Sequence, residues 1–248
     1  MPSSTGEGLE RRYTLLFNPV PSQLKYPLPR IASSREGAAM DSKPEKPESR
    51  EPVKVNEAVI QCPVCGKHTL RVEDYLYEIP MIGKVILTTG KCSNCGYRFN
   101  DVRLAEAQEP RKILLNVEKA EDLNALVVRA SSASILIPEL GMSMTPGPAS
   151  EGFITTVEGV LERFLEALTA ACSSPDADKE ACEKAKRLIE DAKEGKLKFT
   201  LVLVDPEGVS TIVSSKARVE PVSKKELEEL GYIVTNAPGE ESSESGKN

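Results

Sequence analysis

Four cysteines in two matching pairs are the residues best suited to do chemistry. Each pair has the pattern C-x2-C-G: Cys62 with Cys65, then Cys92 with Cys95, with 26 residues between the pairs. Two residues between thiolates let one tight turn direct both sulfurs at a single tetrahedral ion, and the following glycine tolerates the backbone angles of such a turn. The spacing predicts one zinc ion bound by four thiolates.

This site is expected to be structural. Four thiolates close the coordination sphere and leave no position for water or substrate, so the ion should mainly supply folding free energy to a ribbon too small to have its own core. Iron is the alternative metal. Thioredoxin-like chemistry is disfavoured, because neither pair opens a helix after a strand. His68 is interpreted as a surface residue, with replacement of one thiolate as the alternative.

No catalytic signature accompanies the cysteines. The chain has a single histidine, which limits neutral-pH proton transfer and histidine-rich metal sites. It contains no phosphate-binding loop, no G-x-S-x-G and no H-E-x-x-H. We expect a protein that is not an enzyme.

The other two cysteines, Cys172 and Cys182, fall near the facing ends of two predicted helices. The favoured interpretation is a pair of buried apolar thiols. The alternative is a disulfide across the hairpin, which fits a hyperthermophilic source, where intracellular disulfides occur.

Short strands are predicted to position the cysteines. β-rich segments separated by glycine, proline and asparagine indicate a zinc ribbon at residues 56–110, and further strand-like runs indicate a sandwich or barrel-like β domain at 111–235. Proline and glycine in the turn from Asp205 to Gly208 predict a β-hairpin between the runs 197–204 and 209–213.

A helical hairpin interrupts the β domain at about residues 156–194. Six apolar residues from Val157 to Leu168 follow the spacing of one helix face, and Thr155 with Glu158 has the spacing of a capping box. The helical pattern ends at Ser173 to Pro175. A second, more polar helix then runs to about residue 194, before Gly195.

Both ends of the chain have the composition of disordered segments. Residues 1–55 are proline-rich and lack helical or strand periodicity, and residues 236–248 are rich in serine, glutamate and glycine. Translation from Met40 is an alternative start. No apolar run is long enough for a membrane helix or a secretory signal, so a cytoplasmic protein is expected.

The charge balance favours a protein partner over nucleic acid. The formal net charge is −6, residues 54–110 hold 7 basic and 7 acidic side chains, and residues 111–235 hold 16 and 21. Neither block has the cationic excess that binding by counterion release uses. A local basic cluster stays open for four residues: Lys84, Lys91, Arg98 and Arg103.

The ordered motifs resemble the ZPR-type zinc-finger protein family over residues 56–235. The ribbon is followed by four further motifs, which are Val127 to Arg129, Ser134 to Leu140, Pro146-Gly147 and Gly152 to Gly159, and the Asp205 turn matches an Asp-Pro-x-Gly turn of that family. The chain carries this module once, as archaeal members do. The resemblance implies a mainly β fold, with the ribbon followed by a double-stranded β-helix (jelly-roll-like) domain that bears the helical hairpin.

The resemblance also implies a partner. Eukaryotic members of the family bind translation elongation factor 1-alpha and assist its folding, so the same factor is expected here. The alternatives are an RNA- or ribosome-associated ribbon protein in translation and a structural adaptor.

One apolar stretch is the candidate contact segment. Proline ends a strand at Pro138, and a methionine-containing loop is predicted to follow. Five residues are expected to contact the partner: Pro138, Glu139, Leu140, Met142 and Met144. The alternative is that the loop folds back on its own domain, with Glu139 a turn residue and Glu158 a helix cap.

Overall fold

Strands dominate the fold. The structure is a computed structural model that describes residues 51–147 and 150–233. Of the segment 1–55 that was predicted to be disordered, residues 1–50 lie outside the described residues, as do the alternative start at Met40 and the 236–248 tail. The prediction is wrong at its C-terminal end, because residues 53–55 already form the start of the first strand, which pairs with the second. The strands are β1 (Val53–Ile60), β2 (Leu70–Ile79), β3 (Gly83–Cys92), β4 (Arg98–Leu104), β5 (Arg111–Val117), β6 (Leu126–Arg129), β7 (Ser134–Ile137), β8 (Met142–Met144), β9 (Phe153–Thr156), β10 (Phe199–Asp205), β11 (Thr211–Val213) and β12 (Arg218–Pro221). The α-helices are α1 (Val157–Cys172), α2 (Lys179–Lys193) and α3 (Lys224–Glu229).

The first four strands form an antiparallel sheet in the order β1-β2-β3-β4. One cysteine pair lies in the connection from β1 to β2 and the other at the end of β3 and in the connection to β4. Both connections are at the same end of the sheet, because Leu70 at the start of β2 pairs with Cys92 at the end of β3. The β2–β3 turn is at the opposite end. The meander therefore brings the two cysteine pairs together.

The remaining strands form two sheets, in the orders β12-β5-β10-β7-β8 and β11-β6-β9. Side chains alternate across β5: Ile113 and Leu115 enter the main core with α1 and the smaller sheet, whereas Leu114 faces a second cluster with Leu227 of α3. The larger sheet is thus covered on both faces. With the helical hairpin inserted between β9 and β10, this is a mainly β fold with few helices, as expected.

The helical hairpin is confirmed, with one shift at its start. Val160, Leu161 and Phe164 of α1 are buried in the main core. The N-cap is Thr156, whose hydroxyl accepts a hydrogen bond from Gly159 N at 3.1 Å. The predicted capping box at Thr155 is therefore wrong by one residue, because Thr155 still belongs to strand β9.

The predicted β-hairpin around Asp205 is wrong. Strands β10 and β11 belong to different sheets, and the turn carries the chain from one sheet to the other. β10 already has β5 on one side and β7 on the other, so it has no free edge for the strand that follows. The buried Asp205 carboxylate holds the turn by accepting hydrogen bonds from Glu207 N and Ser210 N.

Helix α3 was not expected from the sequence. Its signal is present, because Ser223 and Glu226 form a capping box and Gly231, with φ +86°, follows the helix. Among the described residues, no helix combines the length and the apolar character needed to span a membrane.

Candidate metal centre

The two cysteine turns are built in the same way. In the first, Cys62 N donates to Lys67 O and Gly66 N donates to Cys62 O; in the second, Cys92 N donates to Tyr97 O and Gly96 N donates to Cys92 O. Gly66 and Gly96 have φ angles of +69° and +77°, in the left-handed region that side chains other than glycine rarely adopt. The C-x2-C-G repeat in the sequence is therefore a repeat in the backbone.

The four sulfurs form a compact cluster. Their Sγ atoms all lie within 4.8 Å of one another. The Sγ atoms of Cys62 and Cys95 are 3.7 Å apart, as are those of Cys65 and Cys92. Zinc–sulfur bonds of about 2.3 Å in a tetrahedron place the sulfurs roughly 3.8 Å apart. The residues therefore fit a tetrahedral zinc ion.

Hydrogen bonds and the proximity of the four sulfurs shift the pKa values of two cysteines in opposite directions. The Thr69 hydroxyl lies 3.2 Å from Cys92 Sγ, and this contact and the Cys95 backbone N–H lower the pKa of Cys92 to about 6. The Tyr97 backbone N–H favours the thiolate of Cys95, but partial desolvation and the other three sulfurs outweigh it and raise the pKa of Cys95 to about 12. A divalent cation would offset the repulsion among four thiolates.

Burial and position distinguish the four cysteine ligands from the residues beside them. Cys62 and Cys92 are fully buried with Leu70, whereas Cys95 is exposed. His68 is exposed and does not belong to the cluster. Thr69 was not anticipated, because a hydroxyl that contacts a sulfur 23 residues away leaves no local pattern.

Cys172 and Cys182 are joined in a disulfide, with Cα atoms 6.0 Å apart. The favoured interpretation of two free thiols was therefore wrong, and the alternative holds. Both helix faces place the sulfurs toward each other at the closed end of the hairpin. The bond closes a short loop above the main core, which includes Cys172.

The candidate contact segment is mostly internal. Leu140 and Met142 are buried in the main core, and Met142 and Met144 form strand β8 beside β7. The predicted loop at these methionines is therefore wrong, because the backbone of residues 142–144 pairs with the edge of β7 that β10 leaves open. Pro138 begins a short 3-10 helix and is half-buried. Glu139 is exposed, and its carboxylate accepts hydrogen bonds from Thr200 N and Oγ1.

A four-cysteine ribbon followed by a jelly roll with an inserted helical hairpin defines a class of two-part zinc-ribbon proteins. The ZPR1 zinc-finger domain matches residues 54–110, and the ZPR1 jelly-roll domain matches residues 121–232. The chain belongs to the ZPR1-like zinc-finger family.

Similar proteins come from archaea and eukaryotes. An uncharacterized ZPR1-like protein of Pyrococcus horikoshii is 39% identical over 197 residues, which cover 75% of this chain and 88% of that protein. One from Methanocaldococcus jannaschii is 41% identical over 181 residues, with 71% and 91% covered. The zinc finger chaperone zpr1 of Schizosaccharomyces pombe is 34% identical over 164 residues, covering 63% of this chain and 35% of that protein.

Proposed function

We propose that this chain is a non-enzymatic, cytoplasmic zinc-binding protein that binds translation elongation factor 1-alpha and assists its folding. The observation that carries the proposal is the closed four-sulfur cluster, which fits a single structural zinc ion and leaves no coordination position for a substrate. It is supported by the family, of which the fission yeast relative is named a zinc finger chaperone. Elongation factor 1-alpha is proposed as the partner because the ordered motifs resemble a family whose eukaryotic members bind this factor.

The charges of the ribbon agree with a protein partner. Lys54 and Arg71 each form ion pairs with both Glu57 and Glu73 on the exposed face of the sheet. Lys67 donates to the Asn94 side chain. Basic side chains that are already paired release fewer counterions from a nucleic acid.

An RNA-binding function is the second candidate, and one observation favours it. The strand register places Arg71 beside Lys91, and Lys91 beside Arg98, so three exposed basic residues form a row across the sheet near the cysteines, although Arg71 is also paired with Glu57 and Glu73. If this row bound RNA, affinity would fall steeply with salt, and Lys91→Ala would weaken it.

The test uses purified full-length protein and elongation factor 1-alpha from the same organism. We expect one zinc ion per chain by metal analysis, a stable complex by calorimetry, and a higher yield of active factor when it refolds with the protein. Cys62→Ser/Cys92→Ser should lose zinc and bind at least about tenfold more weakly, whereas Cys172→Ala/Cys182→Ala, which also removes two cysteines, should bind normally. Zinc-loaded protein that does not bind the factor, or binds RNA instead, would contradict the proposal.

A further inference from the structure

The turn between β2 and β3 exposes apolar side chains at the end of the ribbon opposite the cysteines. Residues Ile79–Gly83, here called the Met81 tip, lie beyond the last pairs that β1 and β4 make with this hairpin. Pro80 is exposed, Ile82 is half-buried, and Met81 is 79% exposed. An exposed turn made of apolar residues is unusual, because turns normally carry polar residues.

The backbone of the tip is also unfavourable for its sequence. Ile82 N donates to Ile79 O at 3.2 Å, which closes a four-residue turn. Proline fixes a negative φ at Pro80, and Met81 has φ +70°, so the turn is of type II, with methionine where glycine is preferred. Within residues 51–147 and 150–233, Met81 is the one residue other than glycine with a positive φ.

Neither feature serves the packing of the ribbon. Met81 does not belong to any of the three apolar clusters found in the described parts of the chain. A glycine in its place would relieve the backbone without loss of buried surface. A side chain that is exposed, apolar and conformationally costly is explained by contact with another molecule.

The chemistry of the tip selects the kind of partner. Glu78 and Lys84 face each other across the hairpin directly below the tip, so their opposite charges balance. An anionic membrane or a nucleic acid would be matched by excess positive charge. A methionine on a narrow protrusion fits an apolar pocket on a protein, since its flexible thioether adapts to irregular walls.

We infer that the Met81 tip is a docking element that inserts Met81 into an apolar pocket of the protein partner. The inference rests on the proposed function, because the partner that it addresses is the elongation factor. It adds a contact at the end of the ribbon away from the zinc site.

The experiment measures binding of the full-length protein to purified elongation factor 1-alpha, together with thermal unfolding. Met81→Gly should weaken binding by about tenfold or more, with an unfolding midpoint equal to or above that of the wild type. Met81→Asn, polar and tolerant of positive φ, should do the same, and Met81→Leu should keep most of the affinity. Val219→Thr, at a residue that is 60% exposed on strand β12, is the matched surface control and should bind normally.

The outcomes separate the two proposals. Equal affinity of wild type and Met81→Gly would overturn the docking role and leave the proposed function intact. No binding by the wild type would overturn both. A lower unfolding midpoint in Met81→Gly would assign Met81 to folding. If the wild type bound phosphatidylserine vesicles and Met81→Gly did not, while binding to the factor was unchanged, the tip would be assigned to a membrane. This vesicle result and a lower unfolding midpoint would each overturn the inference.

Discussion

A buried carboxylate fixes the segment that leads into strand β6. Asp122 is 8% exposed, and its carboxylate accepts hydrogen bonds from the backbone N–H groups of Glu118 and Lys119 and from Lys216 Nζ at 2.5 Å. Burial alone would raise the pKa of Asp122, but the Lys216 ammonium and the two N–H groups outweigh it and hold this pKa below its ordinary value. The folded protein therefore favours the carboxylate more than the unfolded chain does.

This carboxylate should make stability depend on pH. Because its pKa is lower in the folded state, its contribution is present above the ordinary aspartate value of about 4 and is lost as the pH falls through the folded pKa. Asp122→Asn should lower the free energy of unfolding by about 1–3 kcal/mol at pH 7, with a smaller difference at pH 3. Urea unfolding of both proteins across this range measures it.

An exposed aspartate supplies the control. Asp191 pairs with Lys196 at the surface, so Asp191→Asn should change the free energy of unfolding by less than about 1 kcal/mol at any of these pH values. If the effect of Asp122→Asn stayed constant between pH 7 and pH 3, the charge of Asp122 would not be the cause.

At this scale, the sequence predicts what is local. The cysteine turns could be predicted, because two residues between cysteines and a following glycine determine the turn by themselves. The hydrogen bonds of the Asp122 carboxylate could not be predicted, because its partner Lys216 lies 94 residues away. The same holds for Thr69, whose role depends on how β2 and β3 pair.

Among the elements, the helical hairpin carries a covalent cross-link. Cys172 ends α1 and Cys182 lies in the first turn of α2, ten residues on. The loop between them is also held by Lys179 Nζ, which donates to Cys172 O at 2.7 Å. A disulfide that closes a loop of this length stabilises the folded state mainly by restricting the unfolded chain.

Removal of the disulfide should destabilise the jelly roll without affecting the metal site. Cys172→Ala/Cys182→Ala should lower the free energy of unfolding by about 2–3 kcal/mol in guanidinium without reductant, followed by helical circular dichroism. Zinc content should equal that of the wild type, which separates this effect from loss of the ribbon. Identical unfolding curves for the two proteins would show that the hairpin holds without the bond.

The elements also show where sequence patterns stop being sufficient. The period of apolar residues predicted α1, since it reports which helix face is buried. Strand pairing depends on which edges are free, and the flanking residues of the Asp205 turn do not reveal that β5 and β7 already enclose β10. The fold class could thus be predicted, while the connection between the two sheets could not.

At the scale of the whole molecule, the ribbon is fixed along the side of the jelly roll. The Asp101 carboxylate accepts hydrogen bonds from Ser131 N and Oγ at 3.0 and 2.7 Å. Leu104 N donates to Val209 O at 2.7 Å, farther along β4. These contacts set the direction in which both the metal centre and the Met81 tip face a partner, so the two parts should act as one unit.

Gly152 is the position at which this arrangement can be tested. A Cβ atom there would lie 2.0 Å from Asp101 Oδ1 and 2.6 Å from Val102 N, so Gly152→Ala must push the ribbon away from the jelly roll. We expect a loss of about 1–3 kcal/mol in the free energy of unfolding and faster hydrogen exchange at the Ser131 amide, with zinc content unchanged. Gly147→Ala, where a Cβ meets nothing within 4 Å, should be neutral within about 0.5 kcal/mol. Equal behaviour of the two variants would mean that the contact at Asp101 does not hold the parts together.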